Sequence, residues 1–525
     1  MENTDYDDMR FLIVDNLKPS QDILKQFAMR LTSKQVDSTH YAQDVITICQ
    51  QKSYDVILLG YDLGEDQKNG QQILEELRVN NFINRHCIII LITAEISQAM
   101  VLAALEHKPD NYLCKPYSLN ELNNRLLSCI RKKKSMAAIY HALEQGKPTL
   151  VIERCDDALA QSTPYKAECL GIKSRQLFQL EKYDQAQAIY LSYKDNKSCQ
   201  WANIGLGRIA LQKEQLDHAE AIFKQAILIN PYYLASYDWL ALTYQKKLQF
   251  LFAEEILEQA LSLSPRSLPR LKRYAQLCLQ NEHFDKATYA YEQTYILAHN
   301  SIHHSPDNAI SFAKALIEYV PILPALDAKK MSTKAFKYLK QMSRDFNRAE
   351  FRIQSHLLTA CLLEQTNEAR LAQEALDNGA KLLTRERDNL SSDSLLKITE
   401  VMKKIPSANN KYSELLIINK ESDANDYNDK AQAALEKSIS LYHSKKFSAA
   451  IEELTKALNS FPEHLGIKLN LLQVYLMAYE ESEVENTLLM SAKILLKELS
   501  TIDCSEDEKL RLRKLQRKYQ ALAGI

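Results

Sequence analysis

Short apolar runs in the N-terminal part of the chain end at positions where reactive or ligand-binding side chains could stand. In chain order, these positions hold Asp15 with Asn16, Gly60, Thr93, and Lys115 with Pro116. Phosphoryl transfer uses a nucleophile, a metal ion that neutralises developing charge, and hydroxyl or cationic donors for the phosphoryl oxygens. Carboxylate, hydroxyl and ammonium groups are present here, but Gly60 has no side chain that could act as a nucleophile.

The apolar runs predict the strands that would bring these groups together. The clearest is Asp55–Leu59, whose nearly continuous apolar sequence is typical of a parallel strand covered on both faces. Helical patterns separate the runs, so we expect a doubly wound, five-stranded parallel sheet with the polar groups at one edge. The predicted strands are Phe11–Val14, Val36–Thr39, Asp55–Leu59, Cys87–Ile92 and Asn111–Cys114, and the predicted helices are Ser20–Leu31, Ala42–Lys52, Gln71–Asn80, Ser97–His107 and one long helix, Ser118–Gln145.

This arrangement resembles the receiver domain of two-component response regulators. In that family, acids after the first strand hold a magnesium ion and an aspartate after the third strand accepts a phosphoryl group. The resemblance gives Asp15 the metal-binding role, and Thr93 and Lys115 the binding of phosphoryl oxygens. It also makes Tyr112 the aromatic residue that reports the state of the site, with a cis bond expected before Pro116.

Two departures from the family pattern indicate a pseudo-receiver. Gly60 stands at the phosphoacceptor position, and Asn16 replaces an acid, so we expect an impaired magnesium site and no cofactor. Lys115 is then expected to pair with Asp15 across the pocket. Asp62 is the alternative acceptor, but we interpret it as a solvated loop acid. The predicted vestigial phosphoryl pocket consists of Asp15, Asn16, Gly60, Asp62, Thr93, Tyr112 and Lys115.

After the receiver-like part, the sequence is helical and repetitive. Small residues recur at spacings of 33, 34 and 34 residues, and large residues follow each of them by four positions. This pattern resembles the tetratricopeptide repeat, a helix–turn–helix unit that stacks into a solenoid. The small residues are Ala186, Ala219, Ala253 and Ala287, and the large ones are Tyr190, Phe223, Leu257 and Tyr291.

These patterns predict a multidomain fold, with a flavodoxin-like α/β receiver followed by an all-α solenoid. A polar segment, Asn419–Asn428, is predicted to be a loop, and Glu506–Leu522 a capping helix. The predicted parts are the receiver-like domain (1–130), a repeat block with the connecting helix (131–300), divergent helical repeats (301–425) and a C-terminal repeat block (426–525).

In the tetratricopeptide family, the first helix of each unit lines a concave face that binds ligands. Carried over by position, this face suits a peptide or a helix as its ligand. Trp201 fits packing between repeats equally well. The predicted face comprises Trp201, Arg208, Asp238, Gln245, Lys246, Lys272 and Gln276.

Composition narrows the class of protein. Over 525 residues, 66 Lys and Arg balance 67 Asp and Glu, so the net charge of −1 gives no reason to expect nucleic acid as a partner. The basic run Arg131–Lys134 is interpreted as a solvated helix face. No apolar run reaches the ~18 residues that a membrane span needs. The ten cysteines include no C-x-x-C pair, so we expect neither a zinc ribbon nor a redox motif. Together with the lack of a membrane span, this pattern leads us to expect a cytoplasmic protein with reduced thiols.

A receiver joined to helical repeats resembles bacterial auxiliary response regulators of the VieB type, which modulate a kinase and its partner regulator. We therefore expect a non-enzymatic adaptor that binds a histidine kinase or another response regulator. Two alternatives stay open. One is a true phosphoacceptor regulator that uses Asp62. The other is a general scaffold that forms homodimers through its receiver, at Ser97–His107, Tyr112 and the helix that begins at Ser118.

Overall fold

The computed structural model describes two compact units, Met1–Ile405 and Pro406–Ile525. No helix in the described part of the chain is long and apolar enough to cross a membrane. The described residues are 6, 8–32, 34–64, 67–95, 97–106, 108–411, 432, 435–442, 444, 446–461, 464–482, 486–499 and 506–523.

The first unit opens with the predicted five-stranded parallel sheet, in the order β2-β1-β3-β4-β5. Alternate residues of the central strands enter two separate apolar cores, one on each face, which explains why those strands are apolar throughout. The strands are β1 Phe11–Val14, β2 Val36–Thr39, β3 Val56–Gly60, β4 Ile88–Thr93 and β5 Asn111–Cys114, and the helices are α1 Lys18–Leu31, α2 Ala42–Gln51, α3 Gly70–Val79, α4 Gln98–Glu106 and α5 Leu119–Ser135.

The prediction of one long helix over Ser118–Gln145 is wrong. Helix α5 ends at Ser135, and α6 covers Ala137–Glu144. The break is at Met136, which adopts φ −98° and ψ 5° and is fully buried in an apolar cluster with residues of the following helices. Burial of this side chain under the next helices sets the turn, and neither glycine nor proline marks it in the sequence.

Helix pairs follow, and they repeat with the period predicted from the sequence. The residue in the left-handed conformation at the turn within each pair recurs at Glu181, Glu214, Leu248 and Glu282, with φ between 56° and 63°. The four small residues that recur in the sequence, Ala186, Ala219, Ala253 and Ala287, are all fully buried. The helices are α7 Pro148–Ala160, α8 Lys166–Gln179, α9 Tyr183–Leu191, α10 Trp201–Gln212, α11 Leu216–Ile229, α12 Ala235–Lys246, α13 Phe250–Leu263, α14 Leu268–Gln280 and α15 Phe284–Ala298.

The close packing of these pairs depends on small residues in the first helix. A Cβ atom added to Gly207 would lie 2.3 Å from the ring of Phe223, so the aromatic ring takes the space that a side chain would need. The first unit continues through helices of 12 to 21 residues that cover most of the predicted divergent region. They are α16 Pro306–Tyr319, α17 Ala325–Asp345, α18 Ala349–Gln365, α19 Ala369–Glu386 and α20 Ser392–Lys403, with short 3₁₀ turns at Val320–Ile322 and Arg387–Asn389.

The described part of the second unit is a set of helices around its own apolar core. The predicted capping helix is present as its last helix. The predicted loop Asn419–Asn428 lies outside the described residues. The helices of this unit are α21 Pro406–Lys411, α22 Phe447–Ser460, α23 Leu465–Ser482, α24 Asn486–Leu499 and α25 Glu506–Ala523.

Candidate functional site: the receiver pocket and its contact with the helical array

The pocket predicted from the sequence lies at the carboxyl edge of the sheet, around Asp15. The side chain of Asp15 is 2% exposed. Its Oδ2 accepts hydrogen bonds from Lys115 Nζ at 2.8 Å and from Ser20 Oγ at 2.7 Å. Its Oδ1 accepts one from Leu17 N at 2.9 Å. The expected pairing of Lys115 with Asp15 is therefore present, and both oxygens of this buried carboxylate already have partners.

Gly60 is the last residue of β3, between β1 and β4. A Cβ atom added to it would lie 2.9 Å from Val14 O and 3.5 Å from Asp15 Cα. Carbon and oxygen atoms that are not bonded do not pack that closely, so any side chain here would have to push β1 away from β3. At the position expected for a phosphoacceptor, the backbone leaves neither a nucleophile nor the space for one.

Thr93 is the last residue of β4 and Lys115 directly follows β5, and Lys115 N donates to Thr93 O at 2.7 Å. Thr93 is buried, and its Oγ1 accepts a hydrogen bond from Glu95 N at 3.0 Å. Tyr112 Oη donates to Glu95 O at 3.0 Å, and burial raises the pKa of Tyr112 to about 12. The Lys115–Pro116 bond is cis, as predicted. The sheet thus brings the hydroxyl and the ammonium group to one edge.

Asn16 and Asp62 are both exposed, unlike Asp15. Asp62 Oδ1 accepts a hydrogen bond from Gly64 N at 2.9 Å, so its carboxylate is held within its own loop. Asp62 is thus an exposed acid in the loop after β3.

These residues do not fit the magnesium ion that the receiver resemblance implies. Mg²⁺ requires several oxygen ligands, usually with carboxylates among them, in near-octahedral geometry. Asp15 offers a carboxylate, but its Oδ2 already accepts from Lys115 and Ser20, and its Oδ1 from Leu17 N. Asn16 supplies an amide in place of an acid, and Gly60 supplies no side chain.

The helical array contacts the receiver through a buried arginine that the sequence reasoning missed. Arg270, at the start of α14, is 3% exposed and donates to Glu106 Oε1 of α4 at 3.0 Å. It also forms two hydrogen bonds with the carboxylate of Asp238 in α12, at 2.9 and 3.0 Å. Leu102, one turn before Glu106, packs against an apolar cluster of array residues. Helix α4 of the receiver is therefore held by an apolar contact and an ion pair.

Three further contacts join the receiver to residues at or near the ends of array helices. Arg266 donates to Tyr61 Oη at 3.4 Å, one residue after Gly60. His303 Nε2 lies 2.8 Å from Glu75 Oε1 of α3. Gln72 Nε2, in the same helix, donates to the carbonyl oxygen of Leu297 at 3.2 Å. Both α3 and α4 are thus attached to the array.

Two residues of the predicted partner face take part in packing between helix pairs. Trp201 lies against Gly171 and has its ring centroid 5.4 Å from that of Tyr193, which places it in the seam between repeats. The guanidinium of Arg208 lies 4.2 Å from the ring centroid of Phe178. Both residues stabilise the array itself.

Two more residues of that face bind arginines of α14. Asp238 pairs with Arg270, and Gln245 Oε1 accepts a hydrogen bond from Arg273 at 2.9 Å. The prediction of a ligand on this face now depends on the remaining three. Lys246 and Gln276 are exposed, and Lys272 is half-buried.

The comparison with protein families identifies the first part of the chain. The model described as "Response regulator receiver domain" matches residues 11–127. Among similar solved structures, a two-component response regulator from Clostridium difficile is 26% identical, with a TM-score of 0.21, over 23% of this chain and 96% of that one.

Two other solved structures are similar to parts of the chain. A CheY-like receiver domain from Methanospirillum hungatei JF-1 is 19% identical, with a TM-score of 0.22, over 24% of this chain and 96% of that one. The structure titled "MamA RS-1 ArsTM double mutant" is 17% identical, with a TM-score of 0.27, over 31% of this chain and 93% of that one. By its family match and its sheet topology, the N-terminal domain is a response regulator receiver domain.

Proposed function

We propose that this protein is a non-enzymatic regulator of two-component signalling, whose receiver binds a histidine kinase or another response regulator without being phosphorylated. The observation that carries the proposal is Gly60, where a side chain would meet Val14 O at 2.9 Å. The Lys115–Asp15 pair supports it, because it occupies the groups that would otherwise bind a metal ion and a phosphoryl group.

A receiver without an acceptor still offers a docking surface. Leu17, which directly precedes α1 and bonds to Asp15 through its N–H, and Ile23 within α1 are apolar yet 58% and 53% exposed. Exposed apolar side chains at and near the start of a helix suit the helices of a histidine kinase, which receivers bind through this region. We therefore assign α1 as the contact with the kinase.

The helical array supplies the second part of the proposed function. Its period and its small-residue positions support tetratricopeptide-type repeats, and such repeats act by binding proteins. The combination supports an auxiliary regulator of the VieB type, which modulates a kinase and its partner regulator, and the proposal gives it no cofactor.

Phosphorylation of the full-length protein tests the first half of the proposal. We expect no phosphoprotein after incubation with Mg²⁺ and acetyl phosphate, or with the histidine kinase encoded nearest to it, when the product is followed by radiolabel and by phosphate-affinity electrophoresis. Asp62→Ala is the companion variant. Label that is present in the wild type and absent from Asp62→Ala would show that Asp62 is an acceptor and would refute the proposal.

Binding to the same kinase tests the second half. We expect a complex whose affinity does not change with acetyl phosphate and falls at least ~10-fold when Ile23 is replaced by Glu, because a charge then enters the apolar contact. Met29→Glu is the matched control, since Met29 is 59% exposed on the same helix but further from the pocket. Equal loss in both variants, or no complex at all, would contradict docking through α1.

A further inference from the structure

Two histidines and an aspartate lie together where three elements of the array meet. His299 follows α15, His304 lies in the loop before α16, and Asp345 is the last residue of α17. One ligand atom from each residue lies within 4.8 Å of the other two. His304 Nε2 is 3.2 Å from Asp345 Oδ2, and the ring of His299 meets that of His304 edge-on with centroids 5.2 Å apart.

The loop that carries His304 is held in place by its own hydrogen bonds. Ser301 is buried and accepts two hydrogen bonds. The backbone N–H of His304 donates to its carbonyl oxygen at 3.1 Å, and the backbone N–H of His303 donates to its Oγ at 3.1 Å. Asn308, also buried, donates to the carbonyl oxygen of His303 at 2.9 Å. The position of His304 is thus fixed before any ligand binds.

The other groups of the cluster are oriented in a similar way. Gln341 Nε2 donates to Oδ1 of Asp345 at 2.8 Å, which leaves Oδ2 directed at His304. The ring of His304 packs against Phe346 with centroids 5.0 Å apart. Outer groups that orient imidazole and carboxylate ligands in this manner are typical of metal sites in proteins.

We propose that His299, His304 and Asp345 form a binding site for a divalent transition-metal ion of the Zn²⁺ type. Bonds of about 2.0–2.1 Å in tetrahedral geometry place ligand atoms roughly 3.3 Å apart, which the His304–Asp345 distance of 3.2 Å already matches. His299 is exposed, so its ring has room to close the remaining distance. Two imidazoles and one carboxylate select Zn²⁺, Co²⁺ or Ni²⁺ over Mg²⁺ and Ca²⁺, which prefer oxygen ligands.

The site lies beside the contact between array and receiver. His303, between the two halves of the cluster in sequence, binds Glu75 of the receiver at 2.8 Å. A metal ion on His299, His304 and Asp345 would join the ends of α15 and α17 across the loop that presents His303. Metal binding would therefore stiffen the segment that holds α3 of the receiver.

The test uses full-length protein made without a histidine tag and stripped of metal by a chelator. Titration of Zn²⁺ in competition with a chromogenic chelator should give one tight site that survives excess Mg²⁺. His304→Gln and Asp345→Asn should each weaken it at least ~10-fold. His218→Gln, which removes an exposed histidine of α11, should leave the affinity unchanged. Circular dichroism of the metal-free variants confirms that they are folded.

Two results would overturn the proposal. One is Zn²⁺ affinity in His304→Gln and Asp345→Asn equal to that of the wild type. The other is a thiolate charge-transfer band when Co²⁺ is bound, since that would show that cysteine sulfur holds the ion. A Co²⁺ spectrum of nitrogen and oxygen ligands that is lost in His304→Gln supports the site.

Discussion

Replacing Arg270 with methionine tests the contact that joins the helical array to the receiver. Its guanidinium, 3% exposed, lies between Glu106 and Asp238. Burial opposes the charge, but the hydrogen bonds to Asp238 and Glu106 outweigh burial and raise the pKa of Arg270, so the arginine stays charged. Removing one partner of a buried ion pair costs about 3–5 kcal/mol, because the other charge is left without a partner.

The free-energy cost of Arg270→Met should fall at the low end of the range for a broken buried ion pair. Glu106 is 24% exposed and Asp238 33%, so both carboxylates can gain water once Arg270 is gone. We expect the contact to lose about 3 kcal/mol of stabilising free energy. Where local opening limits amide exchange, this loss makes exchange in Gln98–Glu106 roughly a hundredfold faster. Hydrogen exchange followed by mass spectrometry measures this segment directly in the full-length protein.

Two further variants separate the ion pair from general damage to α14. Arg273→Met is the matched control, because Arg273 bonds to Gln245 and to the carbonyl oxygen of Asp238, both within the array. It should leave exchange in α4 unchanged. Arg270→Met combined with Glu106→Gln should recover part of the loss, since no buried carboxylate of the receiver is then left unpaired. Exchange in α4 that is unchanged by Arg270→Met, or equally raised by Arg273→Met, would refute this account of the contact.

Two other predictions concern the receiver sheet and the array. Gly60→Ala should destabilise the receiver by about 1–3 kcal/mol, because the new Cβ meets Val14 O at 2.9 Å. Faster amide exchange in β1 and β3 would show this loss of stability. Asp62→Ala, at an exposed position, is the control and should leave exchange in these strands unchanged. Glu254, buried in α13, has its pKa lowered because hydrogen bonds from Asn281 and His283 outweigh the opposing effect of burial. The ionised carboxylate therefore stabilises the fold above the ordinary glutamate pKa, and this stabilisation is lost as the pH falls through the lowered pKa of the folded protein. Glu254→Gln should remove that acid dependence. It should also lower the free energy of unfolding at neutral pH by about 1.5–3 kcal/mol, as measured by denaturant unfolding.

The receiver could be predicted from the sequence because its requirements are local. Strands such as β3 and β4 lie between two helical layers, so each residue must be apolar, and the change to a polar or small residue marks the edge of the sheet. The pairing of Lys115 with Asp15 follows from two strand ends meeting at that edge. The turn at Met136 could not be predicted, because the burial of its side chain depends on helices that come later in the chain.

The attachment of the array to the receiver has no local sign in the sequence. Arg270 and Glu106 are 164 residues apart, and a single arginine in an amphipathic helix is ordinarily read as a surface charge. Yet this pair bears on how the receiver meets a partner. Helix α4 is held by Arg270 and by the apolar cluster around Leu102, so a homodimer through that face would have to displace the array. Leu17, just before α1, and Ile23 within it remain exposed. In this arrangement of the first unit, α1 is therefore a receiver surface that the described contacts with the array leave accessible, and the proposed docking of a kinase there would require no change in the array.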